Sequence, residues 1–206
     1  MKLYGIYYSP FARRVGAALV SRGMQFEHDP INANEEPERA STLNPVGRIP
    51  VLELDDGTRL IDSLCILDAL NDVFGPQAVL VPSAGKLRRD MMQLAAITTA
   101  IGEQAIGWQR ESGRPKEERD AVKLSRLREQ ILGGLRALEN AADLLTPRNR
   151  KMLSIATICA VVAYEYVEMA QPEWTDAQAF PRLLSVVSSL RDESAFSATR
   201  YWSLTK

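Results

Sequence analysis

The stretch that decides the fold reads NPVGRIPVLELDDGTRLIDS and occupies residues 44–63. Its two β-rich segments, IPVLEL and TRLI, are separated by DDG at residues 55–57, a strong signal for a tight turn between antiparallel strands. Ser63 then opens SLCILDALNDVFG, where apolar residues recur at helical spacing and Gly-Pro at 75–76 marks the end. The stretch therefore predicts a β-hairpin that leads directly into a helix.

Upstream of the hairpin, the sequence predicts a strand, a helix and a second strand. MKLYGIYYS, residues 1–9, is rich in β-forming residues and ends in a Ser-Pro pair that suits the start of a helix. FARRVGAALVSRG, residues 11–23, has an apolar helical face with its arginines off that face. A strand around FEHDPI, residues 26–31, completes a β-α-β unit with parallel strands. After a loop, the predicted order through the hairpin and its helix is β-α-β-β-β-α.

Downstream of the hairpin, the chain changes from α/β to all-helical character. PQAVLVPSAGK, residues 76–86, has turn-forming residues without a period, as linkers do. Apolar stripes predict four helices, from Leu87 to Trp108, from Leu124 to Leu145, over about 154–170 and over about 180–191. Gly133 and Gly134 predict a close helix contact. We expect an α/β domain at residues 1–78 and an all-α domain at residues 86–206.

Composition limits the class of function. The chain has 206 residues, 46% hydrophobic and 25% charged, with a formal net charge of −1. A chain with this charge balance has no overall positive electrostatic potential to attract a polyphosphate backbone, so no nucleic-acid partner is expected. No apolar run approaches the roughly 20 residues that span a bilayer, so we expect no membrane segment and a cytoplasmic location. Cys65 and Cys159 lack CxxC spacing, which indicates no metal site and two thiols buried in the core.

Several motifs together resemble the cytosolic glutathione transferase family. They are SPFARRV at residues 9–15, NPVGRIPVL at 44–52, LIDS at 60–63 and SIATICAVVAY at 154–164. The resemblance covers nearly the whole chain and is strongest to small bacterial members whose first strand ends in Ser-Pro-Phe. It implies a thioredoxin-like N-terminal domain, a helical C-terminal domain, a homodimer, and glutathione as co-substrate at the seam between the domains.

The resemblance assigns glutathione-binding roles to five residues. Ile49, before the Pro50 that resembles the family's cis-proline, would pair its backbone N–H and C=O with the cysteinyl part of glutathione. Ser63 would hold the γ-glutamyl carboxylate at a helix N-terminus, and Asp62 would meet the ammonium group. Arg48 would contact a glutathione carboxylate. Each also has a structural interpretation: a turn at Ile49 and Pro50, a helix cap at Ser63 with Asp62 interacting favourably with the helix dipole, and a solvated loop charge at Arg48.

Ser9 is the candidate catalytic residue, since conjugation needs the thiolate of glutathione and a free thiol has a pKa of about 8.5. A hydroxyl that donates to sulfur at a helix start would favour the anion, and a pKa lower by ~2 units requires ~2.7 kcal/mol. Ser9 could instead only cap the helix. Tyr7 or Tyr8 could donate in its place, although strand alternation sends one of them into the core. The absence of a cysteine at position 9 disfavours glutaredoxin-like chemistry.

These residues lead to a hypothesis of function with two open alternatives. The hypothesis is a transferase that ionises glutathione and passes it to a small hydrophobic electrophile, giving a thioether. The electrophile pocket is expected around Ile101, Gln104, Trp108 and Tyr164. The first alternative is a non-catalytic carrier or interaction protein with the same fold. The second is a glutathione-dependent reductase or isomerase, which would use the same binding residues.

Overall fold

A mixed sheet of four strands organises the N-terminal region. The computed structural model describes residues 1–76, 79–147, 149 and 152–200. Its strands are β1 (Lys2–Tyr4), β2 (Glu27–Asp29), β3 (Val51–Glu53) and β4 (Arg59–Ile61). β1 pairs in parallel with β2 and antiparallel with β3, and β3 pairs antiparallel with β4, so the order across the sheet is β2-β1-β3-β4. The predicted β-α-β unit and hairpin are confirmed.

The helices of this region are α1 (Pro10–Ser21), α2 (Pro37–Leu43) and α3 (Ser63–Phe74). The predictions of α1 and α3 are confirmed, whereas α2 occupies a segment that was predicted as a loop. Helix α2 has Pro37 in its first turn and buries Ala40. Proline is favoured there because the N–H that it lacks would have no partner within the helix. With this addition, the thioredoxin-like α/β class is confirmed.

The described chain after the sheet region is helical. Its helices are α4 (Gly85–Ser112), α5 (Ala121–Asn140), α6 (Ala142–Leu145), α7 (Ile155–Ala170), α8 (Pro181–Leu190) and α9 (Ser194–Ser197). Short 3₁₀ turns occur at Lys116–Glu118 and Pro172–Trp174. The four predicted helices correspond to α4, α5, α7 and α8, and the helical class of this region is confirmed. The predicted domain end at residue 78 and the segment 201–206 lie outside the described residues.

Helix α7 forms the centre of the helical region. Its residues 155–167 are all buried, as expected for a helix that is apolar on nearly every face. Helix α4 packs against both α7 and α5. Helices α4 and α5 approach closely at Gly134, where an added Cβ would lie 2.5 Å from Cγ1 of Ile101. The helix contact predicted from the paired glycines is confirmed.

Helix α1 connects the sheet region to the helical region. It contacts α3, α7 and α9, and most of its residues are buried. Arg13 and Arg14 are only 2% and 3% exposed, so their predicted place off the buried face is wrong. Arg13 pairs with Glu165 of α7 and donates from Nε to the carbonyl of Thr199 at 3.1 Å. Such partners allow a guanidinium group to be buried between two packed layers.

The two cysteines lie in different environments. Cys159 is buried in α7, as expected, whereas Cys65 is exposed, so the prediction of a core thiol there is wrong. Helix α3 buries Ser63, Ile66 and Leu67, which leaves Cys65 on its outer side. Across the described part of the chain, no helix has both the length and the apolar character to cross a bilayer. The described residues include no group of three or more His, Cys, Asp or Glu side chains that could hold a metal ion.

Candidate active site

Two adjoining cavities, which we call the seam groove, lie between the sheet region and α4. The large cavity has a volume of about 500 Å³ and the small cavity one of about 160 Å³. Four residues line both cavities: Phe11, Arg48, Ile49 and Glu103. Ser9 lines the large cavity, and Pro50, Asp62 and Ser63 line the small one. The fold therefore brings all six residues predicted for the site to one groove.

Ser9 is the N-cap of α1 and also faces the large cavity. Its Oγ accepts a hydrogen bond from the backbone N–H of Ala12 at 3.5 Å, which is the capping interaction expected for serine. In this contact the hydroxyl uses an acceptor lone pair, so its proton is available to another partner. Capping and donation to a ligand in the cavity are therefore compatible.

The neighbouring tyrosines have opposite environments. Tyr7 is buried, stacks on His28 with ring centroids 4.0 Å apart, and packs against Gly16, where an added Cβ would lie 2.6 Å from its ring. Burial raises the pKa of Tyr7 to about 12. Tyr8 is 47% exposed, lines the large cavity and contacts Tyr166 edge-on at 6.3 Å between centroids. Tyr8 is thus the tyrosine that faces the same space as Ser9.

The loop before β3 is held by one asparagine. Asn44 donates from Nδ2 to the carbonyl of Arg48 at 2.8 Å, and its Oδ1 accepts from the N–H of Val46 at 2.9 Å. The Ile49-Pro50 peptide bond is cis, as the sequence predicted. Because Asn44 ties both ends of the turn together, Arg48 and Ile49 occupy fixed positions where the two cavities meet.

Asp62 and Ser63 form the entry to α3. Asp62 adopts a positive φ of 62° and caps the helix, with Oδ1 accepting from the N–H groups of Leu64 at 2.9 Å and Cys65 at 3.3 Å. A non-glycine residue in this region of φ is uncommon, and strained backbone of this kind clusters at functional sites. Ser63 is the first residue of the helix and is only 2% exposed. Its backbone N–H points out of a helix start, a place that suits anions.

Arg14 is a site residue that sequence reasoning missed. Its guanidinium group donates to Oγ of Ser63, from Nε at 3.0 Å and from Nη2 at 2.6 Å, and to Oγ1 of Thr99 at 2.8 Å. It lies 5.3 Å from the centroid of the Phe11 ring. Arg14 forms no ion pair with an acidic side chain in the described part of the chain. A buried positive charge that has no carboxylate partner among the described residues therefore lies directly behind Ser63.

The far wall of the large cavity comes from α4 and α7 and differs from the expected one. Ile101, Gln104, Trp108 and Tyr164 line neither cavity. Trp108, for example, packs edge-on against Trp174, at 4.9 Å between centroids. The prediction selected the side of α4 that packs into the helical core.

The residues that α4 and α7 do present to the large cavity include Glu103, Ile106, Arg110 and Tyr166. The hydroxyl of Tyr166 donates to Oε1 of Gln109 at 2.7 Å. Burial raises the pKa of Tyr166, and the nearby positive charge of Arg110 partly opposes this shift. The Tyr166 hydroxyl thus remains protonated at neutral pH, and the wall combines polar, charged and apolar side chains.

Residues 3–78 match the family described as the glutathione S-transferase N-terminal domain. This part of the chain is therefore similar to the N-terminal domain of glutathione S-transferases. All six predicted site residues, from Ser9 to Ser63, lie within the matched residues 3–78. The far wall of the groove, on α4 and α7, lies outside this range.

Some similar proteins also match the helical region of the chain. The chain is 28% identical over 205 residues to an uncharacterized GST-like protein, YibF, of Escherichia coli K12, covering 97% of this chain and 98% of the relative. It is 38% identical over 94 residues to maleylacetoacetate isomerase of Pseudomonas aeruginosa, covering 43% of each protein. A solved structure of a glutathione transferase family member from Pseudomonas fluorescens Pf-5, with bound glutathione, has a TM-score of 0.84 and 27% identity, covering 97% of this chain and 98% of that one.

Proposed function

We propose that the chain is a glutathione S-transferase, which binds glutathione in the seam groove, ionises its thiol at Ser9 and transfers the sulfur to a small electrophile. The observation that carries the proposal is the convergence of Ser9, Ile49 and Ser63, from three separate elements, on one groove. The bound glutathione in the similar structure from Pseudomonas fluorescens supports glutathione as the ligand.

Glutathione would lie along both cavities of the groove. Its γ-glutamyl end would occupy the small cavity, with the carboxylate at Ser63 and the ammonium group near Asp62 and Glu103. Glu103 was absent from the sequence prediction and adds a second carboxylate there. The cysteinyl backbone would pair with Ile49, which places the sulfur in the large cavity near Ser9. Arg48 lines both cavities and would contact a carboxylate of the tripeptide.

Ser9 would act by stabilising the thiolate. Its hydroxyl proton is available because the cap uses only an acceptor lone pair. The start of the twelve-residue helix α1 adds a positive electrostatic potential at the same place. Together these effects would lower the pKa of the bound thiol, whose proton would leave to solvent. The thiolate would then attack the electrophile in the large cavity, forming a carbon–sulfur bond.

Two other functions are compatible with the same site. A glutathione-dependent isomerase or reductase would use the same thiolate and differ in the electrophile, and the identity to a relative named maleylacetoacetate isomerase favours including the isomerase. A carrier or interaction protein would bind glutathione without lowering the pKa of its thiol. These outcomes can be separated by following binding and ionisation independently.

The proposal also covers organisation and location. From the linker pattern and the lack of a long apolar run, we propose two domains, at residues 1–78 and 86–206, and a cytoplasmic location. From the family resemblance, we propose a homodimer and a role in detoxification. The chain has a mass of 22.9 kDa. Size-exclusion chromatography with light scattering would give twice that mass for a homodimer, and the mass of a single chain would exclude it under those conditions.

The deciding experiment is a titration with glutathione across pH that records the heat of binding and the ultraviolet absorption of the thiolate. The native protein should bind glutathione with a thiol pKa below neutrality. Ser9→Ala should still bind it with a pKa closer to about 8.5. Tyr8→Phe removes the hydroxyl of the adjacent residue on the same cavity and serves as the matched control. Binding without a lowered thiol pKa would favour the carrier function. If the lowered pKa were lost in Tyr8→Phe and kept in Ser9→Ala, Tyr8 would be the residue that stabilises the thiolate. No binding of glutathione would overturn the proposal.

A further inference from the structure

Helix α4 presents two opposite charges to the seam groove. Thr99, Glu103, Ile106 and Arg110 line it at spacings of four, three and four residues, so they share one helix face. Glu103 and Arg110 are seven residues apart, which is about 10 Å along the axis at 1.5 Å per residue. The wall therefore changes from negative to positive along its length.

The order of these residues shows which end of the groove each charge occupies. Thr99 lines the small cavity, Glu103 lines both cavities, and Arg110 lines the large cavity. Since Ser63 lies in the small cavity, Arg110 is at the end away from it. In the proposed function, the γ-glutamyl end of glutathione lies at Ser63 and the electrophile lies beyond the sulfur. Arg110 thus faces the space left for the electrophile.

Arg110 forms no ion pair with an acidic side chain within the described ranges, whereas Arg114, on the next turn, pairs with Glu118 at 3.2 Å. Arg110 and Tyr166 both line the large cavity, so the charge of Arg110 borders this space. A purely apolar electrophile placed here would remove water from Arg110 without replacing its hydrogen bonds, which is unfavourable.

We propose that the second substrate is an electrophile that carries a carboxylate, and that Arg110 binds this carboxylate. A planar guanidinium group matches a carboxylate with two parallel hydrogen bonds. Ile6 and Ile106, on the same cavity, would contact the carbon skeleton. This inference rests on the proposed function and replaces the hydrophobic electrophile expected from the sequence with an organic acid.

A matched pair of electrophiles tests the inference: 4-chloro-3,5-dinitrobenzoate and its methyl ester. In both, sulfur forms a bond to the ring carbon, chloride leaves with the bonding electrons, and the thiol proton passes to buffer. Dividing each enzymatic kcat/KM by the uncatalysed rate constant removes the difference in intrinsic reactivity. The native protein should favour the acid by about tenfold or more, chiefly through KM.

Variants of two arginines on α4 test whether Arg110 causes the preference for the acid over the ester. Arg110→Gln should reduce the acid-to-ester ratio towards one, and Arg110→Glu should invert it. Arg89→Gln makes the same change of charge on α4 at an exposed position outside the groove, and it should retain the native ratio. A ratio near one in the native protein, or an equal loss in Arg110→Gln and Arg89→Gln, would overturn the inference while leaving the transferase function intact.

Binding of the two thioether products tests the same inference without turnover. The glutathione conjugates of the acid and of the ester, prepared chemically, can be titrated by calorimetry into the native protein and Arg110→Gln. Tighter binding of the acid conjugate, lost in Arg110→Gln, supports the inference, and equal affinities for the two conjugates contradict it. Glutathione itself, titrated alongside, reports whether the proposed glutathione site holds, so failure of that site is distinguished from failure of the inference.

Discussion

The guanidinium group of Arg14 donates two hydrogen bonds to Oγ of Ser63, from Nη2 at 2.6 Å and from Nε at 3.0 Å. Both contacts use acceptor lone pairs of the hydroxyl, which has two such pairs and one proton. The proton of Ser63 must therefore point to a third partner, and Ser63 lines the small cavity. Arg14 thus makes Ser63 a hydrogen-bond donor towards the groove and adds a positive charge behind it.

Replacing Arg14 should weaken binding of the γ-glutamyl carboxylate. We expect Arg14→Met to raise the Kd of glutathione by about ten- to a hundredfold, the equivalent of about 1.5–3 kcal/mol for a hydrogen bond to a charged group. Arg14→Lys keeps the charge and should recover part of the loss. Calorimetry with glutathione and with 4-aminobutyryl-cysteinylglycine, which lacks that carboxylate, measures the effect. Equal losses for both ligands would show that Arg14 acts only on the fold.

Much of the fold was predictable because its signals are local. The turn at 55–57, the helix start near Ser63 and the Gly-Pro after α3 each determine backbone geometry within a few residues, although the residue that caps α3 is Asp62 and not the predicted Ser63. Helix α2 was missed because it is short, and Ala40 is its single buried residue, so it carries no apolar period.

The buried arginines and the far wall could not be predicted in the same way. The partner of Arg13 is Glu165, 152 residues further along the chain, so no local pattern reports that Arg13 is buried. The face of α4 that borders the groove depends on how α4 packs against α1 and α7. An isolated amphipathic pattern identifies the apolar side, whereas Glu103 and Arg110 lie on the more polar side. The residues of the sequence motifs could be predicted because they begin helices or precede a strand, and such positions have local sequence signals.

Removing Arg13 should destabilise the contact between α1 and α7. Arg13→Met leaves the carboxylate of Glu165 buried with one cationic partner fewer, and we expect a loss of about 3–5 kcal/mol in the free energy of unfolding. Adding Glu165→Gln should recover part of this loss, because it removes a buried charge that keeps only Arg191 as its cationic partner. Arg39→Met, which breaks a partly exposed ion pair with Asp29, should cost less than about 1 kcal/mol. Urea unfolding of the four proteins compares them, and similar losses in Arg13→Met and Arg39→Met would contradict this interpretation.

The two adjacent glycines of α5 should respond in opposite directions to alanine. An added Cβ at Gly134 would lie 2.5 Å from Cγ1 of Ile101, so Gly134→Ala should destabilise the protein by about 1–3 kcal/mol. At Gly133 the nearest group is the flexible end of Arg136, at 3.8 Å. Gly133→Ala should therefore stabilise by up to about 1 kcal/mol through helix propensity. Thermal unfolding midpoints measure both, and a stabilised Gly134→Ala would show that α4 and α5 are not packed this closely.

Glu111 should make stability depend on pH at the connection between α4 and α5. Its carboxylate accepts from Nζ of Lys123 at 2.7 Å and from the N–H of Asp120 at 2.9 Å. The hydrogen bond from Lys123, followed by that from the Asp120 backbone, lowers the pKa of Glu111 below its ordinary value of 4.5. A lowered folded-state pKa contributes stability that is fully present above 4.5 and is lost as the pH falls through the folded-state value.

Glu111→Gln should consequently lower the unfolding midpoint at pH 7, and its difference from the native protein should shrink as the pH falls below 4.5, where the native carboxyl group becomes protonated. Glu117→Gln, at an exposed position of the same connection, should match the native midpoint at every pH. Thermal unfolding between pH 7 and pH 3 measures both variants. If the difference between Glu111→Gln and the native protein stayed constant over this range, the carboxylate of Glu111 would not be the group that holds the start of α5 against the end of α4.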